Sequence, residues 1–206
     1  QDRRLSMTVE EMRAFLAAAR DAPDTWRTLA RVLVFTGCRP AEALALTPSQ
    51  VELPRRQVYF ETLRRKERLI LRAVPLPDFV LVDLARAHGI RAAQALPDRG
   101  RHSLLWPWSE VTAWNRIGRL MDIAGIGPGP HATARGLRHG FGVLALQSGI
   151  PLPAIQNWLG YSNSAAMRRL YDHNGKLPRF AHEIGRTKQR ELAARIWTAL
   201  TSDAVT

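Results

Sequence analysis

Apolar residues recur at helical spacing at Val9, Met12, Leu16 and Ala19, just after the capping box Thr8-Val9-Glu10-Glu11. That pattern predicts a first helix starting here. A second apolar-rich helix is predicted over 26–35, stopped by Gly37, and Pro40 opens a short third helix through 46 with Arg39 at its N-cap. The chain then turns extended over 51–76. Gln57-Val58-Tyr59-Phe60-Glu61 and Arg68-Leu69-Ile70-Leu71-Arg72 flank a charged turn, which predicts a hairpin. Helices are predicted over 79–88, then along Val111, Trp114, Gly118 and Met121 up to a stop at Gly125. Further helices are expected over 133–148, over 153–159 with Gly160 as a stop, over 164–172 and over 191–200. Residues 98–101 read as a loop. Residues 125–130 are glycine-rich, but two prolines remove N–H groups that a phosphate cradle needs, so the segment reads as a rigid turn. The fold class is therefore mainly α with a small antiparallel β-sheet (α+β).

Composition changes the picture at one point. With 206 residues, 46% hydrophobic and 23% charged, the chain has enough apolar material for a packed domain. Its aliphatic runs, such as Phe79-Val80-Leu81-Val82, are too short to span a bilayer, and the start does not resemble a signal peptide. The one cysteine, Cys38, excludes an internal disulfide and a multi-cysteine zinc site, and it reads as a small buried residue. The charge is distinctive: 30 basic against 18 acidic residues, net +12, with Lys66, Lys176 and Lys188 the only lysines. An arginine-rich surplus points to a polyanionic partner, because the planar guanidinium fork suits phosphate; a GC-rich genome gives the same bias. Seven basic and two acidic residues lie between Arg55 and Arg72, the most basic stretch of the chain. Since the chain starts at Gln1, it is expected to be a processed or excised piece of a longer protein.

The helix predicted from Thr133 carries the sharpest local pattern. Arg135, Arg138 and His139 fall within about 100° on a helical wheel, opposite Leu137, Phe141, Leu144 and Ser148. Gly142 lies among the basic group, where a missing side chain would let a ligand backbone approach. Such a face could hold a phosphodiester; it could equally be a solvated basic surface. Other features are weaker. His182-Glu183 lacks a second histidine four residues on, the six histidines show no metal spacing, and Trp106-Pro107-Trp108 reads as packing.

Several segments together resemble the tyrosine recombinase (phage integrase) family. Thr36-Gly37-Cys38-Arg39-Pro40-Ala41-Glu42-Ala43-Leu44 looks like its first arginine box, and Arg135-Gly136-Leu137-Arg138-His139-Gly140-Phe141 like its second. Trp158-Leu159-Gly160-Tyr161 resembles the box that ends Leu-Gly-His, and Leu170-Tyr171 the nucleophile box. The basic hairpin and Val74-Pro75-Leu76-Pro77 match the hairpin region, so the boxes run in order over about residues 5–173. The resemblance implies DNA strand transfer without metal or nucleotide cofactor. Tyr171 would attack a phosphodiester, Arg39 (with a helix N-terminus behind it) and Arg138 would clamp the nonbridging oxygens, and Lys66 would protonate the leaving oxygen unless Arg64 fills that role. His139 would support the site and Glu42 orient the first box. The sequence departs from the family at three points: Arg135 replaces a histidine, Tyr161 replaces histidine or tryptophan, and Tyr171 comes one residue late.

These features imply a catalytic domain over 1–175, a basic tail with a helix over 176–206, and no N-terminal core-binding domain. They imply duplex DNA as partner, contacted by Arg64, Arg65, Arg68, Arg168 and Arg169, self-association as a tetramer on DNA, no membrane, and a cytoplasmic, nucleoid-associated location. Ala193, Ile196, Trp197 and Leu200 line one side of the last helix, which docks either on a neighbouring copy or on its own domain. The rival reading is a DNA-binding protein without catalysis: a degenerate recombinase, or a helix-turn-helix regulator built from 153–159 and 164–170.

Overall fold

The computed structural model describes residues 4–64, 68–96, 102–161 and 186–202. Helix α1 (Val9–Arg20) starts as the pattern requires: Thr8 Oγ1 accepts from the Glu11 N–H and the Glu11 carboxylate accepts from the Thr8 N–H, at 3.2 and 2.8 Å. Helix α2 (Asp24–Thr36) is buried from Thr28 to Thr36 except at Arg31, and ends where Gly37 takes a left-handed conformation at φ 61°. Glycine is required there twice over, since a Cβ would also lie 2.6 Å from the Phe141 ring and 2.7 Å from Leu159. Arg39 caps α3 (Pro40–Leu44), two residues shorter than the sequence pattern suggests.

A short 3₁₀ turn (Pro48–Gln50) leads into an antiparallel sheet of order β1-β2-β3, with β1 Val51–Glu52, β2 Gln57–Arg64 and β3 Arg68–Pro75. Arg64 pairs with Arg68 at the hairpin's far end, and Phe60 with Arg72 nearer the core. Alternation sends Val58, Phe60, Arg72 and Val74 inward while Glu61 and Leu71 face out. Arg72 is therefore not part of the exposed basic stripe in which the sequence alone counts it.

The remaining described helices are α4 (Asp78–Ala87), α5 (Ile90–Ala95), α6 (Glu110–Ile123), α7 (Ala134–Gln147), α8 (Leu152–Leu159) and α9 (Arg186–Thr201). The sequence pattern does not reveal α5, whose six residues are too few to show a period. On α6 the core face is Ala113, Ile117, Leu120 and Met121, not the line through Val111 and Trp114, which are 69% and 49% exposed. Residues 98–101, read as a loop, and 164–172, read as a helix, are outside the described residues. Trp106 is fully buried and donates to the Thr25 carbonyl at 2.8 Å, while Arg116 stacks 3.5 Å over Trp108, so this segment packs.

Helix α2 lies at the centre, packed on α1, α4 and α7. Helix α9 starts five residues earlier than the pattern suggests. It buries Leu192, Ala193, Ile196 and Leu200 within its own chain, against α1 and β3, and Arg13 donates two hydrogen bonds to the Ala199 carbonyl at 2.8 and 2.6 Å. In this structure the stripe on the last helix thus docks on its own domain. No described helix is long and apolar enough to cross a membrane.

Helix α7 is held close to the loop before it, and this gives a prediction. A Cβ on Gly136 would sit 1.7 Å from the backbone oxygen of His131, which no side-chain rotation can relieve. Gly136→Ala is expected to destabilise the chain by about 3 kcal/mol. A Cβ on Gly118, in α6, would meet nothing within 4 Å, so Gly118→Ala should be neutral or mildly stabilising. Urea unfolding of both variants checks this; a neutral Gly136→Ala would mean that the 131–133 turn can move.

Candidate active site

Four separated segments come together in a cleft of about 430 Å³ lined by Arg39, Arg135, Arg138, His139 and Tyr161, and by Glu110 and Trp114 of α6. Arg39 reaches it from the α2–α3 turn, which Gly37 and Pro40 make sharp. Arg135, Arg138 and His139 come from the first turns of α7, whose N-terminus is capped by Thr133 accepting from the Gly136 N–H at 3.1 Å. Tyr161 follows Gly160, which ends α8 in a left-handed conformation at φ 65°.

The two central arginines sit differently. Arg138 is buried, with only 6% exposed, and donates to the Gly37 carbonyl at 2.8 Å and the Leu159 carbonyl at 2.6 Å. A guanidinium has five N–H groups, so these two carbonyls do not exhaust it. Its charge also lies 4.9 Å from the Tyr161 ring centroid, and burial lowers its pKa while Tyr161 opposes that shift. Arg39 is more open, its side chain 43% exposed, and gives one nitrogen to Glu42 Oε1 at 2.9 Å. At the helix N-terminus behind Arg39, Glu42 Oε2 accepts the Arg39 N–H at 2.8 Å, so one of the donors there is already engaged. Burial opposes ionisation of Glu42, yet the Arg72 charge and the Arg39 N–H hold its carboxyl below the usual range.

Arg135 is exposed, whereas His139 is 7% exposed. Burial, then the charges of Arg135 and Arg138, push the His139 imidazole below its ordinary value, so at neutral pH it is uncharged and offers one donor and one acceptor. The α7 face is thus neither a solvated stripe nor uniformly open. Gly142 is buried in α7, so it does not serve as a ligand approach. Cys38, beside Arg39, is also buried, and its thiol is pushed up to about 12, far from reactive.

Two converging guanidiniums, a third arginine at the rim and a neutral imidazole form a donor-rich cleft suited to the nonbridging oxygens of a phosphodiester. Among the described residues no three His, Cys, Asp or Glu side chains come together as metal ligands. Tyr59 lies elsewhere, on the sheet, with its hydroxyl donating to Glu52 at 2.8 Å and accepting from Gln57 at 2.7 Å. Arg64 and Arg68 form the last pair of the β2–β3 hairpin. Arg65, Lys66, Arg168, Arg169 and Tyr171 are outside the described residues, as are His182 and Glu183. Sequence reasoning misses Trp114 and Glu110 on the cleft wall. Their exposed i, i+4 placement on α6 is the available signal, but the apolar period assigns Trp114 to the core instead.

The Phage integrase family model matches residues 6–177. Tyrosine recombinase XerA of Thermococcus onnurineus (strain NA1) is 30% identical over 166 residues, covering 77% of this chain and 54% of the relative. Tyrosine recombinase XerD of Mycobacterium tuberculosis (strain ATCC 25618 / H37Rv) is 32% identical over 174 residues, covering 77% and 53%. The chain therefore spans about half the length of these relatives. Among solved structures, a post-cleavage complex of the XerH site-specific recombinase with palindromic difH superposes with TM-score 0.66 at 23% identity, over 83% of this chain and 51% of that one. A lambda integrase (75–356) dimer bound to a COC' core site gives 0.60 at 20%, over 90% and 65%. These likenesses show the fold of a tyrosine recombinase catalytic domain. With the family pattern matched across most of its length and its arginine boxes meeting in one cleft, this chain belongs to the phage integrase, or tyrosine recombinase, family.

Proposed function

We propose that this chain is the catalytic part of a site-specific DNA recombinase or integrase that breaks and rejoins duplex DNA through a 3′-phosphotyrosyl intermediate on Tyr171. The convergence of Arg39, Arg138 and His139 on one cleft carries the reading. Relatives named tyrosine recombinases, and a XerH complex captured after cleavage of its difH substrate, support it.

In the proposed reaction the Tyr171 oxygen attacks phosphorus in line, its proton leaving to the surroundings. A phosphotyrosyl bond forms as the bond to the 5′ oxygen breaks, and that oxygen takes a proton from Lys66, or from the Arg64 position if the hairpin lies differently. Arg39 and Arg138 donate to the nonbridging oxygens, where charge builds up. His139, uncharged, donates or accepts one hydrogen bond at the same centre. Arg135 carries a guanidinium, with N–H donors and no acceptor, so it serves as a donor and not as a base. Rejoining reverses these steps with a 5′-hydroxyl from another strand. Arg64, Arg65, Arg68, Arg168 and Arg169 contact the backbone of the duplex, and the complete protein assembles as a tetramer on DNA, in the cytoplasm at the nucleoid.

A duplex nicked near the cleavage position tests the reaction, since loss of the short fragment traps the covalent adduct. An adduct visible on denaturing gels is expected. None, even with the N-terminal half of a relative joined to the chain, would make this a DNA-binding protein without catalysis. Binding itself should be strongly electrostatic at a net charge of +12. The logarithm of duplex affinity is expected to fall by about 0.9 per log unit of salt for each phosphate neutralised, and a salt-independent affinity would contradict the DNA interface.

A further inference from the structure

Beneath the cleft, one buried guanidinium touches both halves of the site. Arg72 in β3 has a side chain only 2% exposed. Its Nη1 donates to the Trp158 carbonyl in the last turn of α8, its Nη2 donates to Glu42 Oε2 in α3, and its charge lies 4.9 Å from the Phe60 ring. Glu42 in turn holds Arg39 through backbone and side chain at 2.8 and 2.9 Å. The residue after Trp158 is Leu159, whose carbonyl accepts from Arg138. Arg39 and Arg138 are thus each one link away from the same guanidinium, although one sits in the α2–α3 turn and the other on α7.

We propose that Arg72 is a positioning residue that sets the relative placement of Arg39 and Arg138, with Glu42 as its relay to the first and the end of α8 as its relay to the second. The planar fork makes this possible. Two nitrogens of one rigid group point to acceptors on two elements, which an ammonium at the end of a flexible stem cannot reproduce. Core packing alone asks for an apolar residue at this register position, opposite Phe60 and on the inward face with Val58 and Val74. A buried ion pair adds little net stability over such a residue, so its presence here is better explained by geometry imposed on the cleft.

The inference rests on the recombinase reading for its catalytic consequence, but its structural core is tested without catalysis. In the full chain labelled with ¹⁵N-arginine, Arg72→Lys should move the side-chain Nε–Hε resonances of both Arg39 and Arg138, while a control change on the outward face, Leu71→Ala, moves neither. If Arg72→Lys leaves both resonances in place in a folded protein, the proposal is overturned, whether or not the chain cleaves DNA. For the adduct-forming reaction, Arg72→Lys should lower the single-turnover cleavage rate about 100-fold with duplex affinity nearly unchanged. Loss of affinity with an unchanged rate would also overturn it.

A pH profile adds a signature that structural loosening does not produce. The groups that act on Glu42 include Arg39 at the N-cap of its helix, Arg72 from β3, Arg138 from α7 and the Cys38 thiol in the α2–α3 turn. Removing Arg72 takes away its charge and its hydrogen bond, which both lower the Glu42 carboxyl, so that carboxyl should shift upward against the opposing burial. Arg72→Met should therefore lose cleavage on acidification at a higher pH than the unsubstituted chain does, and Arg72→Met with Glu42→Gln should lack that displaced limb. An identical profile for Arg72→Met and the unsubstituted chain contradicts the relay through Glu42. Should Arg72→Met fail to fold, Arg72→Lys decides by its resonances.

Discussion

Tyr171→Phe is expected to abolish the covalent DNA–protein adduct on a nicked duplex while duplex binding stays nearly unchanged. The chain has three tyrosines, so the nucleophile is one of them if the proposed chemistry is right. A phenol with an ordinary pKa near 10 is a poor nucleophile at neutral pH and needs cations beside it or a base to take its proton. The cleft supplies cations in Arg39, Arg135 and Arg138, and a neutral acceptor in His139. Tyr59 is bound to Glu52 and Gln57 on the sheet. Tyr161 lines the cleft, and its ring face is engaged by the Arg138 charge, a packing role that phenylalanine can keep. Tyr161→Phe should accordingly still form the adduct. Peptide mapping of the trapped species decides: an adduct on Tyr161 or Tyr59 would preserve the enzyme and reassign its nucleophile.

Arg138→Ala should reduce strand cleavage by about 10²–10³, the scale of removing one donor to a developing oxyanion. It should also destabilise the fold, a cost that the sequence does not foreshadow. Arg138 ties the turn after α2 to the end of α8 through the Gly37 and Leu159 carbonyls. Alanine leaves both buried acceptors without their donor and opens a hole beside Tyr161, for a total of about 2–4 kcal/mol. Arg138→Lys separates the two effects. It keeps a positive charge at the phosphate site but cannot span both carbonyls, so most of the stability loss should persist. Urea unfolding and single-turnover cleavage on the same samples check this. A fully stable Arg138→Ala would mean that water replaces the guanidinium at both carbonyls.

The family, the α+β class and the bounds of most helices were legible because each depends on short-range order. Thr8 and Glu11 cap α1, Gly37 and Gly160 stop α2 and α8, and Pro40 starts α3, all from residues adjacent in the chain. The arginine boxes were legible for the same reason. The failures, at α6 and at β3, concern which face an element turns to a distant neighbour. Trp114 matches a helical period but lies on the cleft wall, because α6 turns Ala113, Ile117 and Leu120 to the core. Arg72 counts as one more charge in a basic hairpin, and only the pairing of β2 with β3 shows that it points inward opposite Phe60.

Sequence alone was enough to show the arginine boxes of the family, in fixed order, on a mainly helical scaffold with one hairpin. Local hydrogen bonding and side-chain period are written in neighbouring residues, so no long-range contact was needed to read them. Tertiary structure decided how those residues divide the work. Arg138 became a buried strut between two carbonyls, Glu42 engaged the Arg39 N–H, His139 was pushed toward its neutral form, and the stripe on α9 was packed on α1 and β3. Burial and electrostatic neighbourhood arise only when separate segments meet, and at Arg72, Glu42 and Arg138 those segments are a strand, a short helix, and a long helix packed over the end of α8.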